Sequence, residues 1–272
     1  MRIAVLLTVF NRKDSTLRCL MDLQKQMSLN NCSVEVYLTN DGCTDGTPEA
    51  VKQKFPNVHI IDGDGNLFWN RGMYAAWEEA AKEDYDFYLW LNDDTFVYPN
   101  MLSSLLLASS LKDNKSIIVA PTCSTKSKKI TYGGRLENGK IPEPNGAIVK
   151  VNYFNGNIVL IPRSVYKILG NLDYYFTHSK GDFDYGLRAI KNGIEVFQYG
   201  EFLGECDTHA SVDRWCDPKV SFKDRWVLMH RPNGMPPKET FHLEKRHYGF
   251  LKACFHYMTI HLRVCFPKLW LK

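Results

Sequence analysis

The feature that most constrains this chain is the alternation, over roughly its first 120 residues, of strand-length apolar runs with helical patterns. Ile3–Phe10 is a β-rich apolar run, followed by helical spacing of Thr16, Leu17, Leu20, Leu23 and Met27. Val34–Leu38 reads as a second strand, broken by Asn40-Asp41-Gly42, and Pro48 then sits where a first helical turn tolerates proline, with Thr47 as its N-cap. Val58–Ile61 is a third strand, Gly72–Lys82 an Ala-rich helix and Phe87–Leu91 a fourth strand; a helix at 100–111 and a strand at Ile117–Ala120 follow. Such alternation specifies an α/β fold with a mostly parallel central sheet covered by helices.

In sheets of this kind ligands bind beyond the carboxyl ends of the strands. Polar clusters stand at four such ends: Asn11-Arg12, Asp41, Asp62 to Asn66, and Asn92-Asp93-Asp94. The last is the most telling. Adjacent carboxylates repel each other and need a cation or hydrogen-bond donors to offset them. Oxygen ligands at a strand end suit Mg²⁺ or Mn²⁺, whose coordination substrate phosphates often complete. Alone, this turn would read as a solvated strand end; the convergence of four ends argues for a site.

Two Gly/Asp loops resemble calcium sites and fail the comparison. From Asp41, the third position is Cys43 and the twelfth is Lys52, where a bidentate Glu is required. From Asp62, position six is Leu67 and position twelve is Met73. The second loop also lacks the third glycine of a dinucleotide fingerprint. What remains for Asp41 is a turn residue or a carboxylate that accepts hydrogen bonds from a bound base.

The second half is less regular. Residues 122–146, with Gly133-Gly134 and Pro142-Glu143-Pro144, read as turns and loops. Asn157–Ile161 is a strand, Pro162–Leu169 a short helix, Gly181–Lys191 a helix and Ile194–Gln198 a strand. Asp182 and Asp184 fall on different sides of their helix, so only one faces a cleft. Arg188 reads as an ion-pair partner for a helix neighbour.

The eight cysteines form no C-x-x-C pair, which argues against a zinc site or disulfide framework and fits a cytoplasmic protein. Met1–Leu7 is too short for a signal peptide and has no cleavage site behind it. Residues 238–272 hold seven of the 34 Lys/Arg, two of the 30 Asp/Glu and four of the eight His. The body is therefore near neutral and no nucleic-acid partner is expected; affinity for anionic surfaces belongs to the C-terminus.

Thr8-Val9-Phe10-Asn11-Arg12, Asp41-Gly42-Cys43-Thr44-Asp45-Gly46-Thr47 and Leu91-Asn92-Asp93-Asp94 together resemble family 2 glycosyltransferases of the GT-A fold. The stretch Asp62 to Met73 is similar to that of bacterial rhamnosyltransferase-like enzymes of polysaccharide biosynthesis. Gly156-Asn157, Ile161-Pro162-Arg163 and Gly181 to Arg188 resemble the family's acceptor-side region. The resemblance covers about residues 1–210 in order.

By position, it implies that Asp41 contacts the nucleotide base, Asp93 the ribose, and Asp94 the Mn²⁺ or Mg²⁺ that bridges the donor's diphosphate, with His209 as a second metal ligand. Asn92 stands where relatives carry the first acidic residue of a D-x-D motif. Thr8, Phe10, Asn11, Arg12, Asn66, Trp69 and Arg71 complete the donor site, although Trp69 could equally pack on the sheet. Asp182 falls on the general base, with Gly181 in place of the usual preceding Glu; the competing role for Asp182 is a helix N-cap.

The expected reaction is inverting transfer of a sugar from a nucleoside-diphosphate sugar to a glycan or lipid-linked glycan, with one domain at 1–235 (halves at about 1–120 and 121–235) and a basic amphipathic helical tail at 236–272. That tail suits a peripheral membrane contact; packing on the catalytic domain or a second copy is the other reading. The rivals are a sugar nucleotidyltransferase, which wants a glycine-rich loop that Asn11-Arg12-Lys13-Asp14 lacks, and a non-catalytic nucleotide-sugar or glycan-binding protein.

Overall fold

The computed structural model describes residues 1–26, 32–208 and 213–270. The chain forms two compact units, residues 1–174 with 181–208, and residues 175–180 with 209–272. Position 235, expected as a boundary, lies inside the second unit.

The first unit begins with β1 (Arg2–Val9), α1 (Lys13–Gln24), β2 (Ser33–Asn40), α2 (Thr47–Lys54), β3 (His59–Asp62), α3 (Phe68–Ala80) and β4 (Phe87–Leu91). There follow β5 (Phe96–Val97), α4 (Met101–Ser110), β6 (Ile117–Val119), β7 (Thr122–Cys123), β8 (Ile130–Tyr132), β9 (Gly134–Arg135), β10 (Val149–Val151), β11 (Tyr153–Phe154) and β12 (Ile158–Pro162). It closes with α5 (Arg163–Leu169), α6 (Gly181–Lys191), β13 (Val196–Gln198) and β14 (Gly204–Glu205).

Eight strands make the central sheet in the order β10-β13-β6-β12-β4-β1-β2-β3. β3, β2, β1 and β4 are parallel neighbours, and β6 pairs parallel with β13. β12 runs antiparallel between β4 and β6, and β10 antiparallel to β13 on the edge. The period-2 alternation of β1 serves both faces. Ile3, Val5, Leu7 and Val9 join a core beneath α1 and α4 residues such as Leu20 and Leu105. Ala4 and Leu6 join a second core around Trp77, whose ring centroid lies 5.4 Å from Trp90 and 5.1 Å from Tyr166.

Three local expectations change. The loop at 122–146 contains β7, β8 and β9, which pair in a four-stranded sheet β5-β14-β7-β8 and a two-stranded sheet β11-β9. Thr47 is the first residue of α2 rather than its cap: Gly46 takes the left-handed conformation (φ 77°), and Asp45 Oδ1 accepts from the Thr47 amide at 3.0 Å. α3 starts four residues before Gly72, which places Trp69, Asn70 and Arg71 in its first turns.

The second unit contains α7 (Phe222–His230), α8 (Pro237–Tyr248) and α9 (Phe250–Cys265). The expected tail helix is thus a pair, separated at Gly249, whose φ of 96° a side chain would oppose. His256 Nδ1 lies 2.6 Å from Glu244 Oε1 and Phe241 packs edge-on against Phe250 and Tyr257, joining the two helices. Val264 enters a small core with Trp215, Cys216 and Met229. Among the described residues no helix is long and apolar enough to cross a membrane.

Candidate active site

The carboxyl end of β4 carries the carboxylate pair. Asp93 is 5% exposed and Asp94 half-buried. One guanidinium nitrogen of Arg12, from the turn after β1, serves both: Nη1 lies 3.1 Å from Asp93 Oδ1 and 2.6 Å from Asp94 Oδ2. Burial pushes Asp93 up to about 7, with Arg12 opposing the rise and Asp94 adding to it. Burial works against the Arg12 charge, yet the two carboxylates outweigh it and hold its pKa above the ordinary arginine value. Arg12 therefore supplies the positive charge that adjacent carboxylates require. Thr16 Oγ1 reaches Asp93 Oδ2 at 3.5 Å, and the Cys206 thiol donates to Asp94 Oδ1 at 3.7 Å.

Asn92 is hydrogen-bonded within the fold. Its Oδ1 accepts from the Trp69 indole N–H at 2.7 Å, and its backbone N–H donates to Asn157 O at 3.1 Å. Trp69 both packs on the sheet and borders this end: its ring meets Trp90 edge-on at 5.9 Å and lies so close to Gly156 that a Cβ there would come within 2.5 Å of Cζ2. Gly156 is thus a close-approach glycine.

Gly156 connects this cluster to the second carboxylate. Its N–H donates to Asp182 Oδ2 at 3.1 Å, while Phe183 N–H donates to Asp182 Oδ1 at 2.9 Å. Each carboxylate oxygen thus accepts a backbone amide, and the Asp182 amide bears on the group as well. Burial lifts Asp182 to about 6 against those two amides. Asp182 lies inside the first turn of α6, so it is not the residue that precedes and caps it. Asp184 is fully buried and accepts from Arg188 Nε at 2.8 Å, so Arg188 is engaged within its own helix. Of the two acidic residues only Asp182 retains exposure.

Gly181 has a specific neighbour. A Cβ on it would sit 1.6 Å from Asn70 Oδ1, so the Asn70 side chain fills the space that a larger residue before Asp182 would need. Asn70 is fully buried and donates from Nδ2 to Asp173 O at 2.9 Å.

Asp41 is 3% exposed. Its Oδ1 accepts from the amides of Gly65 (2.9 Å) and Leu67 (3.1 Å), and its Oδ2 from that of Phe68 (2.8 Å). It organises the loop into α3 and complements the positive end of that helix, leaving one acceptor position on Oδ2. The other sequence-selected residues divide by location. Asn11, at φ 50°, accepts from Thr44 N–H at 2.7 Å and links the turns after β1 and β2. Phe10 is exposed beside it. Thr8 is covered by α3, since a Cβ on Gly72 would lie 2.1 Å from its hydroxyl. Asn66 closes a turn on Asp64, its N–H donating to Oδ1 at 2.9 Å. Arg71 donates to Tyr174 O at 3.1 Å and stacks over that ring at 4.9 Å. His209 lies outside the described residues. Asn70, Gly156 and Cys206 were not selected from the sequence as site residues, although Gly156 stands in the Gly156-Asn157 motif, Asn70 in the Asp62–Met73 stretch and Cys206 three residues before His209.

No group of three or more His, Cys, Asp or Glu suited to a metal occurs among the described residues. The donors present at β4 are hard carboxylate oxygens already paired with a cation, a set compatible with Mg²⁺ or Mn²⁺.

A mostly parallel central sheet flanked by helices is the architecture of the GT-A fold. The family model described as "Glycosyl transferase family 2" matches residues 4–177. The chain belongs to that family. No curated protein matches it. Among solved structures, S. aureus TarS 1–349 in complex with UDP is similar at a TM-score of 0.59 and 14% identity, covering 100% of this chain and 76% of that one. TarS 1–349 in complex with UDP-GlcNAc is similar at 0.57 and 14%, covering 94% and 73%. The longer S. aureus TarS chain is similar at 0.58 and 13% identity; this chain's match covers 94% of its own length and 44% of that one.

Proposed function

We propose that this chain is an inverting, divalent-metal-dependent glycosyltransferase that moves a hexosyl or deoxyhexosyl group from a nucleoside-diphosphate sugar to a hydroxyl of a glycan or lipid-linked glycan. The setting is bacterial surface polysaccharide synthesis at the cytoplasmic face. The observation that carries the reading is the contact series from Asp94 and Asp93 through Asn92, Trp69 and Gly156 to Asp182. On this reading the series links carboxylates that would face a diphosphate's counter-ion to a candidate base at the start of α6. The TarS complexes make UDP sugars the first donors to try.

Asp182 takes the proton of the acceptor hydroxyl. Its pKa of about 6 makes it a stronger base than a free carboxylate while leaving it mostly ionised at neutral pH. The acceptor oxygen forms its bond to the anomeric carbon as the bond to the diphosphate oxygen breaks, with inversion. Asp94 would hold Mn²⁺ or Mg²⁺, which when bound stabilises negative charge on the departing diphosphate. Asp93 contacts the ribose, and Arg12 is freed to face phosphate. Asp41 shapes the base pocket through the 65–68 loop, with its single open acceptor position toward the base. Phe10, Asn11 and Asn66 border the donor.

Replacing Asp182 with Asn separates transfer from donor binding. The expected result is a rate lower by about 10²–10⁴-fold with unchanged donor affinity. Unchanged transfer would remove Asp182 as base. Unchanged donor binding in a chain whose wild type transfers nothing would instead favour a non-catalytic nucleotide-sugar-binding protein.

A further inference from the structure

The structure assigns α9 and the turn after it a second role: an interfacial helix that docks on an anionic phospholipid bilayer. The proposal stands on unit-two geometry alone and does not depend on the catalytic reading. At helical spacing, Leu251, Phe255, Met258 and Leu262 fall within one narrow stripe, and all four are exposed, Leu251 at 84%. Phe266 and Leu269, just beyond the helix, are exposed as well. On the opposite side, Ala253 and Val264 are buried, and Val264 packs with Trp215 and Met229. The helix is therefore already anchored by one face. Its apolar stripe is surplus to that core.

Charge chooses the occupant. From Phe250 to the end of the sequence there is no Asp or Glu, while Lys252, Arg263 and Lys268 accompany the stripe. Lys252 lies on one flank of it, about 100° round the helix per residue, exposed and with its ammonium 4.3 Å from the Tyr248 ring, while Arg263 on the same flank is part-exposed and stacks over Trp215 at 5.2 Å. An isologous contact with a second copy would bring these cations face to face with no carboxylate of α9 between them. An anionic headgroup layer accepts both features at once, apolar side chains entering the acyl boundary and cations staying among the phosphates.

The test is co-sedimentation of the full chain with vesicles of phosphatidylcholine alone or mixed with phosphatidylglycerol, at low and high salt. The expected result is binding to the mixed vesicles that weakens with salt and is much poorer on phosphatidylcholine alone. F255E/L262E should lower the partition constant by more than about a hundredfold, because two large apolar side chains no longer enter the boundary. K252E/K268E, confined to exposed residues, should lower it by about fivefold or more per residue and keeps the test interpretable if the first variant misfolds. Absence of binding to the mixed vesicles overturns the proposal. So does a concentration-dependent dimer in sedimentation velocity that F255E/L262E abolishes, which would show the stripe to be a protein interface.

Discussion

Substituting Gly181 by Ala tests how the site replaces a familiar acidic residue. The added Cβ would lie 1.6 Å from Asn70 Oδ1 and 2.5 Å from its Cγ. Asn70 cannot simply turn aside, since it is fully buried and its Nδ2 donates to the Asp173 carbonyl. Overpacking of this kind costs roughly 1–3 kcal/mol, and losing the hydrogen bond adds about 0.5–1.5 kcal/mol. Ala regains at most about 0.5–1 kcal/mol over Gly in a helix. The net expectation is a loss of about 1–3 kcal/mol, equivalent to some 2–10 °C in melting temperature for a unit of this size. Because Asp182 is the next residue, transfer should also slow while donor affinity holds. Asn70→Ala alone should cost about 1 kcal/mol. The double variant should be more stable than the sum of the two by at least about 1 kcal/mol, since the clash vanishes with the amide. Melting curves of the four proteins close the cycle. Additive effects, or a G181A protein as stable as the wild type, would refute the reasoning.

The remaining expectations concern charge. Raising the Asp182 pKa to about 6 means that the base is lost by protonation as pH falls, so kcat/KM should drop tenfold per pH unit below about 6 and level off above 7; a flat profile from pH 5 to 8 at rate-limiting chemistry would contradict that role. Arg12→Gln removes the cation shared by Asp93 and Asp94, so Mn²⁺ binding without nucleotide, read by electron paramagnetic resonance, should tighten by about fivefold. Unchanged or weaker binding would show that Arg12 does not compete for those carboxylates. Asp41→Asn keeps one carbonyl oxygen for the Gly65 and Leu67 amides but turns an NH2 donor toward the Phe68 amide, and should lower stability by about 1–3 kcal/mol, visible as a lower urea midpoint; an unchanged midpoint would mean that the loop holds itself.

What the sequence made legible was whatever depends on local periodicity. Phe87–Leu91 is the same five residues in both readings, and the strands at Ile3, Val34 and Val58 are displaced by one or two residues. Non-local pairing was not legible. Two-residue strands such as β7 and β14 are held in part by each other, some 80 residues apart. The apolar run of β12 marks a strand but carries no sign of its antiparallel direction beside β4. The early start of α3 has the same cause: the carboxylate over its first amides is Asp41, 27 residues upstream of Phe68. At the site, spacing and resemblance selected Asp93, Asp94, Arg12 and Asp182. They could not show that Asn92 is committed to Trp69, or that Asn70 occupies the room beside Gly181, because both are contacts between distant segments.

If the Asp93-Asp94 strand end receives a nucleoside diphosphate with a divalent ion, calorimetric titration will register both. UDP, GDP and dTDP sugars, UDP-GlcNAc first, are titrated into the wild-type chain and D94N with and without Mn²⁺. One nucleotide class should bind, more tightly when Mn²⁺ is present, with that metal-dependent gain lost in D94N. Absence of binding by every nucleoside-diphosphate sugar, or binding indifferent to both Mn²⁺ and Asp94, would contradict it.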